Sequence, residues 1–145
     1  MDDSVFLFLL LIKDIYQQIE PFKDRKAGKL SGGMKQKLGL ACTLVRSPEL
    51  LLLDEPSIGV DPLSRRDLWT IIERLVQEDN LNVIISTAYM DEAERCDVVL
   101  MLRNGKFIAE GSPNEIKGKY QVDSVEEAFI VAGKNLELEN KGAAK

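Results

Sequence analysis

The sequence contains no histidine. That excludes histidine acid–base chemistry and histidine-ligated zinc. Cysteine is scarce: Cys42 and Cys96 lie far apart, outside any metal-ligand spacing, and the expectation is two buried, reduced thiols in a cytosolic protein. Long apolar runs are missing too. Val5 to Ile12 is eight residues, far short of the roughly 20 that cross a bilayer as a helix. It is not expected to be a secretory leader either, because Asp2 and Asp3 are acidic and no small-residue cleavage site follows. It is expected to be the buried part of a helix, or an apolar face left by a missing neighbour. There is no basic excess: 19 Lys and Arg against 24 Asp and Glu give a net charge of -5, which argues against a nucleic-acid partner. Repeats and low-complexity tracts are absent. So is any G-x-x-x-x-G-K-[ST] segment, the glycine-rich loop whose backbone cradles phosphates.

What is present suits one soluble globular domain with a modest core: 145 residues, 45% hydrophobic and 30% charged. Residues 4 to 19 have helical spacing, with Ile12, Ile15 and Ile19 on one face and Pro21 as the stop. A basic connector, Phe22 to Leu30, leads to Ser31, a natural helix cap. The helix it opens carries Met34, Leu38, Ala41 and Val45 and ends near Arg46, before Pro48. Leu50 to Leu53 shows no alternation, which predicts a strand covered on both faces in a parallel sheet. Asp61-Pro62 starts a helix with Leu68, Ile71, Ile72, Leu75 and Val76 as its buried stripe. Asn82 to Ser86 is a second buried strand, and Tyr89 to Arg95 a short acidic helix. Val98 to Leu102 and Lys106 to Glu110 flank Asn104-Gly105, a type I′ hairpin signal. The order predicts an α/β fold whose sheet is parallel at its centre. Ser124-x-x-Glu127 is a capping box for a last helix holding Val125, Ala128 and Phe129. The expected division is a folded portion over 1–132 and a polar, mobile tail over 133–145.

Four short segments carry chemistry, and each also has a plain structural reading. Leu30-Ser31-Gly32-Gly33-Met34-Lys35-Gln36 opens a helix. Helix N-termini carry free N–H groups and partial positive charge, and the glycines let a phosphate approach closely; alternatively, this is an ordinary capped helix. Asp54-Glu55 follows the leucine strand. Asp54 suits a magnesium ion, and Glu55 could orient or deprotonate an attacking water; alternatively, both are solvated loop acids. Ser57 to Asp61, with Gly59, is a tight loop in which Asp61 caps the next helix. Ser86-Thr87-Ala88-Tyr89 lies at the C-terminal end of a parallel strand, where α/β proteins place ligands; alternatively, it is a simple turn.

In this order and at this spacing, the segments resemble the ATP-binding cassette of ABC transporters, a P-loop NTPase fold. Leu30 to Gln36 is similar to the family's signature motif, Leu50 to Pro56 to its Walker B strand with the catalytic glutamate at Glu55, and Ser57 to Asp61 to its D-loop. Ala88 stands where the family has a switch histidine. Gly59-Val60-Asp61-Pro62 with Tyr89 to Glu94 resembles the exporter-like drug and antibiotic branch, and bacterial proteins with two cassettes in tandem. The resemblance covers about residues 12 to 132. The family's Walker A loop and Q-loop lie upstream of the part resembled.

The resemblance implies ATP and Mg2+ as cofactors, with Asp54 toward the metal, directly or through water. It implies a second cassette, arranged head to tail, whose bound ATP meets Ser31 and Gly33, and an integral membrane permease as partner. The location implied is peripheral, on the cytoplasmic face of the membrane. The expected function is part of the ATP-hydrolysing subunit of a transporter. Alanine at position 88 can replace neither contact of the switch histidine, so the alternative is a non-catalytic module completing a partner's ATP site. A permease-free ABC ATPase is a third reading, disfavoured by the exporter-like wording. The isolated chain is expected to turn over no ATP, and to dimerise or dissolve poorly through the bare edge and apolar surface of Leu50 to Leu53.

Overall fold

Ile15 and Ile19, four residues apart, are 0% and 7% exposed and stand on the inner face of the first helix. In the computed structural model, which describes residues 12–13, 15–46 and 48–143, residues 12–13 and 15–19 form α1. Pro21 converts it to a tight turn over Glu20–Phe22. The stretch from Val5 to residue 11 lies outside the described residues, as does the burial expected there. The chain divides into two compact units, one up to Ser86 and one from Thr87 onward.

The first unit continues with α2 (Gly32–Leu44), β1 (Leu50–Asp54), α3 (Pro62–Asp79) and β2 (Asn82–Ser86). Strands β1 and β2 pair in parallel, Leu51 opposite Val83 and Asp54 opposite Ser86. The core gathers Ile15, Ile19, Leu40, Leu44, Leu51, Leu68, Ile72 and Leu75, with Leu53, Val83 and Ile85 packed against it. Each fully buried leucine or isoleucine contributes about 1.5–3 kcal/mol of transfer free energy. Helix α3 buries Leu68, Ile71, Ile72 and Leu75 of the predicted stripe, and Trp69 with them at 2% exposure, while Val76 is only half-buried.

Several expectations about this unit fail for physical reasons, among them the burial of β2, whose residues Asn82–Ser86 alternate between exposed and half-buried. The strand β1 is covered on one face only. Leu51 is buried, while Leu50 and Leu52 are 48% and 67% exposed, and Ile84, opposite Leu52, is 60% exposed. An unbroken apolar run therefore marks a face that no described element covers. The buried face of α2 is also rotated from the predicted stripe. Gly33, Lys37, Leu40, Ala41 and Leu44 are inside, whereas Val45 is 65% exposed. Gly33 abuts α3 and the Lys37 ammonium is satisfied there, so a glycine and a lysine occupy positions that a hydropathy pattern assigns to solvent. Cys42 falls on the outer side of this helix and is exposed, not buried, and Cys96 is half-buried.

The second unit contains α4 (Met90–Ala93), the antiparallel strands β3 (Val99–Arg103) and β4 (Lys106–Gly111), α5 (Pro113–Tyr120) and α6 (Val125–Ala143). The hairpin thus forms its own two-stranded sheet. It turns at Asn104 and Gly105, whose φ values are 52° and 72°, the left-handed pair that a type I′ turn needs. A register shift interrupts the pairing between Met101 and Leu102. Met101, Ala109, Ile116, Val125 and Ala128 form the core. The helix α5 was not anticipated, although Ser112-Pro113-Asn114-Glu115 is a complete capping box: Ser112 Oγ accepts from the Glu115 N–H and Glu115 returns the bond. The last helix passes the expected boundary at Gly133 and runs to Ala143. Gly133 is accommodated because the Arg103 guanidinium crosses it and reaches Glu137 at 2.7 Å.

Candidate functional site

The opening of α2 is built on its own cap and on the loop beneath it. Ser31 Oγ accepts from the Met34 N–H at 3.3 Å, which leaves the N–H groups of the first turn directed outward at the positive end of the helix. Leu30 is buried under this opening and anchors it, while Ser31 and Lys35 are exposed and Met34 and Gln36 half-buried. Gly32 and Gly33 are the first two residues of the helix. Their presence has a geometric reason. A Cβ on Gly32 would meet the Gly59 carbonyl oxygen at 2.3 Å, and one on Gly33 would meet Ser64 Cβ at 2.4 Å. One turn on, the Lys37 ammonium donates to Gln18 Oε1 at 2.7 Å and to Asp67 Oδ2 at 3.2 Å.

The acidic pair leaves β1 beside the end of β2. Asp54 is exposed, so its charge is not a buried one in need of a counter-ion; its carboxylate accepts a hydrogen bond from the Ser86 hydroxyl. The Glu55 N–H donates to the Ser86 carbonyl and hydroxyl oxygens, each at 3.0 Å. Glu55 also has φ of 46°, a conformation that costs a non-glycine residue of order 1–3 kcal/mol and clusters at functional sites.

The loop after Pro56 is closed by two turns, Ile58 N–H to the Glu55 carbonyl and Val60 N–H to the Ser57 carbonyl, both at 3.2 Å. Gly59 takes the left-handed conformation, φ 71°, that this requires. Ser57 is 2% exposed, and among the described residues its hydroxyl has no hydrogen-bond partner. Asp61 accepts from the Ser64 N–H at 3.0 Å and caps α3, as the sequence predicts. That bond holds its carboxyl below the ordinary aspartate value.

In the second unit, Ala88 is exposed in a turn held at both sides. Thr87 Oγ1 donates to Glu92 Oε2 at 2.6 Å and accepts from the Tyr89 N–H at 3.0 Å. Glu92 is 1% exposed. The methyl group of Ala88 offers no donor or acceptor.

The structure therefore brings Leu30 to Gln36 and Ser57 to Asp61 together, and sets Asp54 and Glu55 on one hydroxyl. Sequence reasoning missed Ser64, Lys37 and Asp67; the signal available was a lysine interrupting the apolar face of α2. Among the described residues, no group of three or more Cys, Asp or Glu side chains could hold a metal alone. The oxygen set at Asp54 and Ser86 still fits magnesium, which takes one or two carboxylates and leaves its other positions to water and phosphate. No helix of the described residues is long and apolar enough to cross a membrane.

Comparison with known proteins gives a consistent answer. A family profile described as ABC transporter matches residues 12–58. The probable multidrug ABC transporter ATP-binding protein YbhF of Escherichia coli (strain K12) is 54% identical over 101 residues, 70% of this chain and 17% of that protein. The ABC transporter A family member 10 of Arabidopsis thaliana is 46% identical over 98 residues, 67% of this chain and 11% of that protein. This chain thus spans under a fifth of the length of either relative. Among solved structures, an ATP binding subunit of an ABC transporter shares the fold, with a TM-score of 0.70 at 24% identity, over 92% of this chain and 56% of that one. The cbiO1 protein from Clostridium perfringens, part of the ABC transporter complex cbiONQ, superposes with a TM-score of 0.64 at 28% identity, over 92% of this chain and 51% of that one.

Proposed function

Because the chain belongs to the ABC transporter ATP-binding family, we propose that it supplies the signature segment and the Walker B acids of an ATP-hydrolysing transporter subunit. The observation that carries this reading is the anchoring of Asp54 and Glu55 by one serine at the end of a parallel strand. An α/β protein places its ligand at such a strand end.

Ser31 and the first-turn N–H groups of Gly32 and Gly33 bind the terminal phosphate of an ATP held by a second cassette, arranged head to tail. Met34, Lys35 and Gln36 border that contact, and Leu30 seats it. Glu55 orients the attacking water and takes its proton. Members of the family bind ATP with Mg2+; Asp54, with Ser86 beside it, is the group that would hold the ion, directly or through water. When bound, the ion neutralises phosphate charge. Ser57, Gly59 and Asp61 shape the loop that meets the partner cassette. An integral membrane permease completes the assembly, which places the protein on the cytoplasmic face of a membrane. The likeness to YbhF favours a drug-exporter type of cargo. Nucleic acid is not part of the reading, given the net charge of -5.

Ala88 favours a second reading, in which this segment completes a partner's ATP site and its own site does not turn over. Two variants of the full-length protein separate the two. Under the first reading, Glu55→Gln abolishes Mg-ATP turnover while nucleotide binding persists. Under the second, Ser31→Arg abolishes turnover and Glu55→Gln leaves it intact. Turnover insensitive to both substitutions would remove both readings.

A further inference from the structure

We propose that Ser64 and the Lys37–Asp67 pair are positioning residues that lock the opening of α2 onto the loop Ser57–Asp61, and that Gly32 and Gly33 are glycines because of this packing. The inference rests on the function proposed above for its turnover readout alone.

Three contacts run in order along the two helices. At the start, the Gly32 backbone lies so close to the loop that an added Cβ would sit 2.3 Å from the Gly59 oxygen and 3.2 Å from the Gly59 carbon. Next, an added Cβ on Gly33 would sit 2.4 Å from Ser64 Cβ, 2.7 Å from Ser64 Oγ and 3.5 Å from a Val60 methyl. Backbone and a Cβ cannot yield as the end of a long side chain can. One turn further, Lys37, at 7% exposure, is held by Asp67 and Gln18. A buried ammonium needs its carboxylate partner, so this contact fixes the sliding of α2 along α3 as well as their separation. Gly39, on the same helix beyond these contacts, has nothing within 4 Å of an added Cβ. Close approach is therefore a property of the opening turns and not of α2 as a whole.

The consequence is mechanical. No compliant side chain separates the two backbones at Gly32 and Gly59, so the segment offered to a phosphate and the loop offered to the partner cassette move as one piece. Ser64 sets their spacing. The role of the second glycine is then to admit Ser64, in addition to any approach by phosphate.

The test uses Gly33→Ala, Ser64→Gly, the double variant, and Gly39→Ala as a control outside the contact. Turnover is read in the full-length protein. Hydrogen exchange of the Ile58 and Val60 amides is read in the same variants without nucleotide, because both amides are bonded within the loop. Gly33→Ala is expected to lower turnover about 100-fold, the usual effect of misplacing a reacting group by about 1 Å, and to speed exchange at Ile58 and Val60 but not in the second unit. The double variant is expected to regain the turnover and exchange of Ser64→Gly, and Gly39→Ala to match the parent in both. A Gly33→Ala protein that fails to fold supports the proposal if Ser64→Gly restores folding, and overturns it otherwise. Unchanged exchange in Gly33→Ala overturns it. So does a double variant that regains parental exchange but not turnover, since the glycine would then serve phosphate alone. A parent protein with no ATP turnover would remove the function proposed above, and the exchange measurement would still decide the packing.

Discussion

The main-chain N–H of Glu55 donates at once to the carbonyl and the hydroxyl of Ser86, each at 3.0 Å, across the parallel pair of β1 and β2. The same hydroxyl donates to the Asp54 carboxylate. One serine thus ties both acids to the neighbouring strand and holds Glu55 in its left-handed backbone conformation. Replacing it by alanine removes the bond to Asp54 and one of the two bonds from the Glu55 N–H, while the main-chain carbonyl still accepts from Glu55. Ser86→Ala is expected to lower turnover in the full-length protein about tenfold, equivalent to about 1.4 kcal/mol of transition-state stabilisation, while Ser86→Thr keeps most of the activity. Steady-state kinetics of the two variants check this; equal losses in both would show that the hydroxyl is not the tie.

The orphan hydroxyl of Ser57 gives a prediction of opposite sign for stability and activity. A buried hydroxyl without a partner costs about 1–3 kcal/mol, and Ser57 is such a group among the described residues. Ser57→Ala removes the group without changing the packing volume much. The expected result is a chain more stable by about 1 kcal/mol in urea titration, together with reduced turnover in the full-length protein. A stability loss would mean that the hydroxyl is satisfied in solution.

What the sequence disclosed follows the reach of each interaction. Caps are local, so Ser31 and Asp61 are found where residue type and spacing place them. So is the Asn104-Gly105 turn. The motifs of the site are also local strings, which is why Leu30 to Gln36 and Asp54-Glu55 were recognisable. What failed depended on partners distant in sequence. The buried face of α2 is set by Ser64 and Asp67 of another helix, so hydropathy alone misplaced it. The coverage of Leu50 and Leu52 depends on a neighbour that four leucines cannot specify. The end of the last helix was misjudged at Gly133, where Arg103, thirty residues earlier in the chain, spans the glycine to reach Glu137.

The exposed apolar face of β1 and β2 predicts how the isolated chain behaves. Leu52 and Ile84 are register partners, 67% and 60% exposed, with Leu50 beside them at 48%. Adjacent apolar side chains on an open strand pair promote self-association. Light scattering of the 145-residue chain is expected to show dimers or larger species. Leu52→Lys with Ile84→Lys is expected to shift it to monomer without loss of the core, which lies on the other face. A parent chain that stays monomeric across a wide concentration range would contradict this.

Gly39 offers a stability change free of functional contact. It sits inside α2 with open space where a Cβ would go. Alanine there lowers the conformational entropy of the unfolded chain, and the gain is about 0.5–1 kcal/mol. The urea midpoint of Gly39→Ala should rise while its m-value stays the same. A fall would show that the outer face of α2 is covered in solution.

Glu94 makes the stability of the second unit depend on acid. Its Oε2 accepts from the Lys117 ammonium at 2.9 Å, and its Oε1 accepts from the Val125 N–H at 2.8 Å, at the start of α6. The lysine bond first, and the amide bond second, hold its carboxyl below the ordinary value of 4.5. A carboxyl whose folded pKa is depressed stabilises the folded state above its unfolded pKa, and that stabilisation is lost as pH falls through the folded pKa. The side chain is about a third exposed (31%), so solvent screens part of the effect and the expected contribution is about 1 kcal/mol. Glu94→Gln keeps an acceptor for Val125 but loses the charge that holds Lys117. Asp61 and Glu115 are depressed in the same direction, so the informative quantity is the difference between parent and Glu94→Gln. That difference should be largest above pH 4.5 and shrink steadily below it. A difference independent of pH would show that Glu94 acts through its shape and hydrogen bond to α6 rather than through its charge.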